Sequence, residues 1–215
     1  MSKNELFSRC DFHIHTHLSE CALEEMRAPA ILDVCKRRGI TRLGITDHIN
    51  PSTDASILDV DREELDALDT SVETYLGCEA EILSVGKHTV TDGMKQSLDY
   101  IAIAANHFQG PWVEQPPDNT AFGIACHHLD MFAYACSLDF VDIIVHPMCD
   151  VAGVHDTKGF EALTEADLTP PLAEARKNGI AVEISPRELV SEGMRFRLRF
   201  YSLCRRLGLK FAFGS

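Results

Sequence analysis

Five histidines and one glutamate in this 215-residue chain sit in phase with the apolar segments around them. His13 and His15 form an HxH pair at the end of the run from Cys10 to His15. His48 follows the run from Arg42 to Thr46, and Glu79 lies within the run from Tyr75 to Leu83. His107 follows Tyr100 to Ala104, and His146 follows Val141 to Val145. Side chains i and i+2 of a strand face the same side, so both imidazoles of the HxH pair can address one ion. From His15 onward the intervals are 33, 31, 28 and 39 residues, each about one β/α unit. Imidazole nitrogens with a bridging carboxylate suit Zn²⁺, Mn²⁺ or Fe²⁺. The spacing therefore predicts a shared divalent-metal centre.

The elements that must position these residues are legible as a repeat. Two further apolar runs, Ile180 to Ile184 and Leu209 to Phe213, bring the strand-like segments to seven. Several are continuously apolar, as expected of parallel strands covered on both faces. Helical stretches lie between them, including Pro29 to Arg38, Asn119 to Ser137 and Asp167 to Asn178. Gly39, Gly179 and Gly208 each stand after a helical stretch and before an apolar run, where a left-handed glycine ends a helix. The segment from Met194 to Phe200 alternates with period two, but its continuation through Leu203, Cys204 and Leu207 predicts a helix. An α/β fold follows, either a barrel or a doubly wound sheet. In a barrel the carboxyl-terminal strand ends carry the chemistry, and the candidate ligands fall there.

Composition narrows the partners. The net charge of −13 argues against a nucleic-acid backbone or an anionic membrane as the main partner. No run approaches the roughly 20 apolar residues of a membrane span, and the polar start of the chain resembles no signal segment. The expectation is a single cytoplasmic domain over residues 1–215. The eight cysteines form no CxxC pair, so reduced thiols are expected rather than a disulfide framework.

Asp11-Phe12-His13-Ile14-His15-Thr16, then Ile45-Thr46-Asp47-His48, Gly77-Cys78-Glu79, the strand-end His107 and His146-Pro147 resemble the PHP (polymerase and histidinol phosphatase) family over nearly the whole chain. The resemblance implies a distorted seven-stranded, TIM-like β/α barrel with two or three divalent ions (Zn, Mn or Fe) and phosphoesterase chemistry. It implies that His13, His15 and Glu79 hold one ion, and that Glu79 bridges to a second held by His107 and His146. His48 would serve a third ion. That ion's further ligand would fall at Glu20 or Cys21, and the residues leave the choice open: a carboxylate suits harder ions, a thiolate favours zinc. His13, His15, Glu79, His107 and His146 would hold a hydroxide for attack on a small phosphomonoester or nucleotide. The family closes with an aspartate and a histidine just after Gly-Ser on the last strand. The sequence here reads Gly214-Ser215 and stops; if the chain itself ends there, the first and third ions would each lack a ligand, with weakened or absent catalysis, while the second would keep its own.

Other residues carry secondary expectations. Asp47 would orient an imidazole, and Glu183 could do so from the end of its strand. Arg187, directly after that strand, is the candidate phosphate contact, because guanidinium is planar and bidentate. Arg195, Arg197 and Arg199 are expected on a solvated helix face. His127 and His128 are expected to pack or cap, while His17, His88 and His155 lack the phasing. The loop from Gln109 to Thr120, with Trp112 and three prolines, would wall the substrate. Two alternatives remain: a catalytically impaired metal-binding or interaction domain, and an amidohydrolase-like barrel. The second lacks its usual bridging lysine on the ligand-bearing strands. The oligomeric state is not legible.

Overall fold

Short strands alternate with helices along the chain, and several strands are buried on both faces, as continuous apolar runs require. The structure is a computed structural model that describes residues 9–185 and 193–214. The strands are β1 (Cys10–Ile14), β2 (Arg42–Ile45), β3 (His48–Ile49), β4 (Glu73–Leu76), β5 (Glu79–Ser84), β6 (Lys87–His88), β7 (Ala102–Ala104), β8 (Ile143–Ile144), β9 (Ala181–Ile184) and β10 (Lys210–Phe213). The helices are α1 (Ala28–Arg38), α2 (Ile57–Asp66), α3 (Asp92–Ser97), α4 (Ala121–Ser137), α5 (Glu165–Asn178) and α6 (Met194–Leu207), with a 3₁₀ turn at Thr157–Ala162. Gly39, Gly179 and Gly208 end α1, α5 and α6 at φ of 72°, 79° and 76°, the left-handed joints expected of them.

β1, β2 and β4 form one parallel sheet. The second runs β10-β9-β8-β7-β5-β3, parallel throughout, with β6 antiparallel beside β5. β2 passes into β3 across Thr46-Asp47, and β4 passes into β5 across Gly77-Cys78. Gly77 N–H donates to Ile45 O at 2.8 Å and Glu79 N–H to Asp47 O at 3.0 Å, carrying the pairing across both breaks. Among the described residues the seven expected strands become ten: the run from Tyr75 to Leu83 splits into β4 and β5, β3 follows β2 as a short continuation, and β6 is added as a hairpin arm.

Tyr100 accounts for the local irregularity. Its hydroxyl donates to Phe12 O at 2.9 Å, and its ring lies over Gly44 and Gly77. A Cβ at those glycines would come within 2.2 Å and 2.6 Å of the Tyr100 side chain. Among the described residues no hydrogen-bonded ladder joins β10 to β1, so the expected closed barrel is not seen as a closed ladder. Side chains meet instead: Phe12 of β1 packs against a cluster of Tyr100, Ala102, Ala104, Ile143, Val145 and Ala212.

The opposite strand faces bury Ile103, Ile144 and Val182 in a larger core shared with α4, α5 and α6. α6 contributes Phe196, Phe200 and Leu203 to that core and also buries Arg197, contrary to the solvated face expected for 195–199. Arg199 is occupied too, its Nη2 donating to the carbonyls of Phe160 and Glu161 at 3.3 Å and of Leu163 at 2.7 Å. Among the described residues no helix is long and apolar enough to cross a membrane.

Candidate metal centre

Parallel pairing of β3 with β5 places His48 directly opposite Glu79. Glu79, fully buried, is the hub of the site. Its Oε2 lies 3.0 Å from His48 Nδ1, 3.2 Å from His13 Nε2 and 3.3 Å from His15 Nε2. Its Oε1 lies 2.7 Å from His146 Nε2 and 3.5 Å from His107 Nε2. All six phased residues therefore converge at one end of the strands. They line a cavity of about 700 Å³ with Cys21, Gln109, Asp150, Glu183 and Arg197.

The outer imidazole nitrogens are fixed from behind. His13 Nδ1 faces Glu183 Oε1 at 2.8 Å, and His107 Nδ1 faces Glu81 Oε1 at 2.7 Å. His146 Nδ1 faces Asn106 Oδ1 at 2.8 Å. Asn106 Nδ2 donates to His146 O at 2.8 Å and Cys149 O at 2.7 Å, so its Oδ1 must accept from His146 Nδ1–H. That tautomer turns the lone pair of His146 Nε2 toward Glu79 Oε1, two acceptors 2.7 Å apart. Burial lowers the His146 pKa and so disfavours a proton between them. A divalent cation would resolve the clash, and the residues present fit one. His146 itself adopts φ 31°, a strained value that its backbone N–H bond to Glu183 Oε2 at 2.5 Å helps to hold.

The electrostatics are those of an electron-rich cluster. Burial opposes ionisation of Glu79, but His13, His107 and His48 hold its carboxyl well below the usual range. Burial likewise opposes protonation of His13, yet Glu79 and Glu183 lift its pKa well above normal. Against burial, Glu79 and Cys21 raise His48 to about 11. Burial, with the neighbouring His48 and His13, lowers His15 to about 4.

Among the described residues three sets each bring their donor atoms within 4.8 Å of one another: His13, His15 and Glu79; His48, Glu79 and His107; His15, Cys21 and His48. Of the two residues left open by the sequence, Cys21 joins a donor set and the exposed Glu20 does not. Glu20 instead lines an adjoining lobe of about 440 Å³ with Asn50, Asp54, Gln109 and Trp112. From the loop after β7, Gln109 to Trp112 line one side of this lobe. Asp47 departs from expectation, standing 3.9 Å from His15 Nδ1. It accepts instead from Thr16 N–H at 2.6 Å and Ser19 Oγ at 2.7 Å, anchoring the loop that follows the HxH pair.

Glu81 and Asn106 hold imidazoles from behind although the sequence alone does not mark them for that role. The i, i+2 relation of Glu81 to Glu79 was the available signal for the first. His127, His128 and His155 gather around Phe108 and belong to none of the donor sets. Arg187 lies outside the described residues.

No family profile matches the chain, and no curated protein matches it. Solved structures do. A protein described as a histidinol phosphatase, from Listeria monocytogenes, aligns at TM-score 0.66 and 12% identity, covering 96% of this chain and 94% of that one. Histidinol phosphate phosphatase from Lactococcus lactis, solved with zinc, L-histidinol and phosphate, aligns at TM-score 0.62 and 13% identity, covering 96% and 84%. A chain of archaeal ribonuclease P with mature tRNA aligns at TM-score 0.53 and 12% identity, covering 96% and 73%. At these identities the likeness establishes the fold: an α/β chain of parallel strands arranged as in the histidinol phosphatases.

Proposed function

We propose that this chain is a metal-dependent phosphoesterase acting on a small phosphomonoester or nucleotide. The observation that carries the reading is the convergence of His13, His15, His48, His107 and His146 on one buried carboxylate, Glu79, in an open cavity. His13 and His15 with Glu79 would hold one ion, and Glu79 with His107 and His146 would hold a second. Mn²⁺, Fe²⁺ and Zn²⁺ all suit such nitrogen and carboxylate donors. When bound, divalent cations lower the pKa of coordinated water to about 7 and offset the charge of a phosphoryl group.

The protein's own residues do the rest. Glu183, Glu81 and Asn106 fix the imidazole orientations, so the site needs little reorganisation. Arg197, the sole arginine or lysine lining the main cavity among the described residues, contacts the phosphoryl oxygens. Arg187 is a second candidate for that role. Gln109, Trp112 and the acidic residues Glu20 and Asp54 shape the adjoining lobe, which takes the leaving alcohol and favours one bearing an amine. The Lactococcus lactis protein, solved with L-histidinol and phosphate, supports that class of substrate. No lysine lines either cavity among the described residues, which weighs against the amidohydrolase alternative.

The test is hydrolysis by the metal-reconstituted chain of an aryl phosphate, L-histidinol phosphate and nucleotide monophosphates, beside Glu79→Gln. Phosphate release by the wild type alone supports the reading. Bound metal with no release from any ester overturns the activity, and absence of bound metal overturns the centre.

A further inference from the structure

The third donor set differs chemically from the other two. His15, Cys21 and His48 offer two imidazoles and a thiol whose donor atoms lie within 4.8 Å of one another, whereas the other sets each contain Glu79. The placement follows from the loop between β1 and α1. Ser19 Oγ donates to Asp47 Oδ1 at 2.7 Å and accepts from His48 N–H at 3.1 Å, tying the loop to the strand that carries His48. Ala22 N–H then donates to Ser19 O at 3.0 Å, turning Cys21 back over the site. The His15 and His48 rings stack at 4.4 Å with an interplanar angle of 15°. Cys21 lines the main cavity and the adjoining lobe, so it stands where the two meet.

A thiolate changes what such a set prefers. Thiolate with imidazole suits Zn²⁺ and Co²⁺, while Mn²⁺ and Mg²⁺ prefer carboxylate and water oxygens. Two histidines and a cysteine also leave a fourth tetrahedral position open, the arrangement of reactive rather than purely structural zinc sites. We propose that Cys21, with His15 and His48, forms a thiolate metal site that makes one position of the cluster selective for zinc over manganese. The inference rests on the metal-centre reading above. It adds that the cluster is chemically uneven: a soft end at Cys21 and a harder, carboxylate-bridged end at Glu79. Glu20 takes no part in it.

Cobalt titration of the metal-free full chain, kept reduced, provides the test without recourse to activity. A cobalt–thiolate bond produces an intense near-ultraviolet charge-transfer absorption that nitrogen and oxygen ligands do not. The wild type is expected to show it, Cys21→Ser to lose it while still binding cobalt at the Glu79 positions, and Glu20→Gln to keep it. In a zinc and manganese mixture, Cys21→Ser should retain about one equivalent of zinc fewer than the wild type. Cys21→His restores a nitrogen donor and should recover the metal count without the absorption. Cobalt bound without the absorption, or an absorption undiminished in Cys21→Ser, overturns the thiolate site and leaves the phosphoesterase reading intact. A wild type that binds no cobalt or zinc overturns both.

Discussion

The Glu183 carboxylate joins two parts of the centre: Oε1 takes the hydrogen bond of His13 Nδ1 at 2.8 Å, and Oε2 that of the His146 backbone N–H at 2.5 Å. Burial opposes its ionisation, yet the bond from His13 keeps its pKa low. It therefore fixes the tautomer of His13 and the strained backbone of His146. Removing such orienting partners typically weakens metal binding about 10- to 100-fold. Glu183→Ala is expected to show that loss in a zinc titration, with Glu183→Gln intermediate. Unchanged affinity in Glu183→Ala would reduce the residue to packing.

Gly214 reaches the same pair from the end of β10. A Cβ there would lie 2.0 Å from Glu183 Oε1 and 2.5 Å from His13 Cβ. Gly214→Ala must therefore push Glu183 off His13, although the residue is no ligand. Overpacking of this kind costs about 1–3 kcal/mol. The variant should melt lower and bind zinc more weakly than the wild type, and melting alone at unaltered zinc affinity would contradict the coupling.

Much of this site was legible because two periodicities coincide. The i, i+2 relation of His13 to His15 and the β/α repeat both survive in the folded chain, and Gly39, Gly179 and Gly208 mark its joints. The break at Gly77-Cys78 was not legible, because the apolar run continues across it and only the Tyr100 ring, distant in sequence, interrupts the strand. The choice between Glu20 and Cys21 depends on the Ser19–Asp47 bond, a tertiary contact. The polar helices α2 and α3 are likewise hard to read in the sequence, being short with few buried side chains.

Proton release should accompany metal binding. Without metal, Glu79 and its neighbours lift His13 well above its ordinary pKa and His48 to about 11, so both carry protons at neutral pH. A metal ligand must be the neutral imidazole, so each of these protons leaves as the ion enters. Affinity for zinc is therefore expected to fall steadily from pH 8 to pH 6. The metal-free protein follows the opposite sign: these raised pKa values stabilise it below about pH 6.5, and that support declines as pH rises toward 11. Calorimetry in buffers of different ionisation enthalpy counts the protons, and a buffer-independent heat would refute the assignment.

Asp61 gives a separate pH signature. It is buried on α2, accepts from Thr16 Oγ1 at 3.3 Å, and is pushed up to about 8 by burial and by Asp47. Unfolded, an aspartate titrates near about 3.9. Between those values the folded chain holds a proton that the unfolded chain has released, so stability falls as pH rises through the window. Asp61→Asn carries no such proton. Its melting temperature relative to wild type should rise progressively from pH 5 to pH 8 in metal-free protein, whereas parallel curves would show that Asp61 titrates normally.

Arg197 and Arg199 share one helix but stand in different surroundings. Arg199 Nη2 donates to the carbonyls of Phe160, Glu161 and Leu163, which end the 3₁₀ turn, so its loss should lower stability. Arg197 is only 8% exposed and lines the cavity that holds the imidazoles. A charge-assisted hydrogen bond contributes about 1.5–3 kcal/mol, or roughly 10- to 150-fold in affinity. Arg197→Ala should weaken inorganic phosphate binding to the metal-loaded protein by that factor, with the zinc count unchanged. Arg197→Lys should recover only part of it, because an ammonium cannot reproduce the planar fork. Arg199→Ala should leave phosphate affinity alone, and an equal loss in both variants would make Arg197 a packing residue as well.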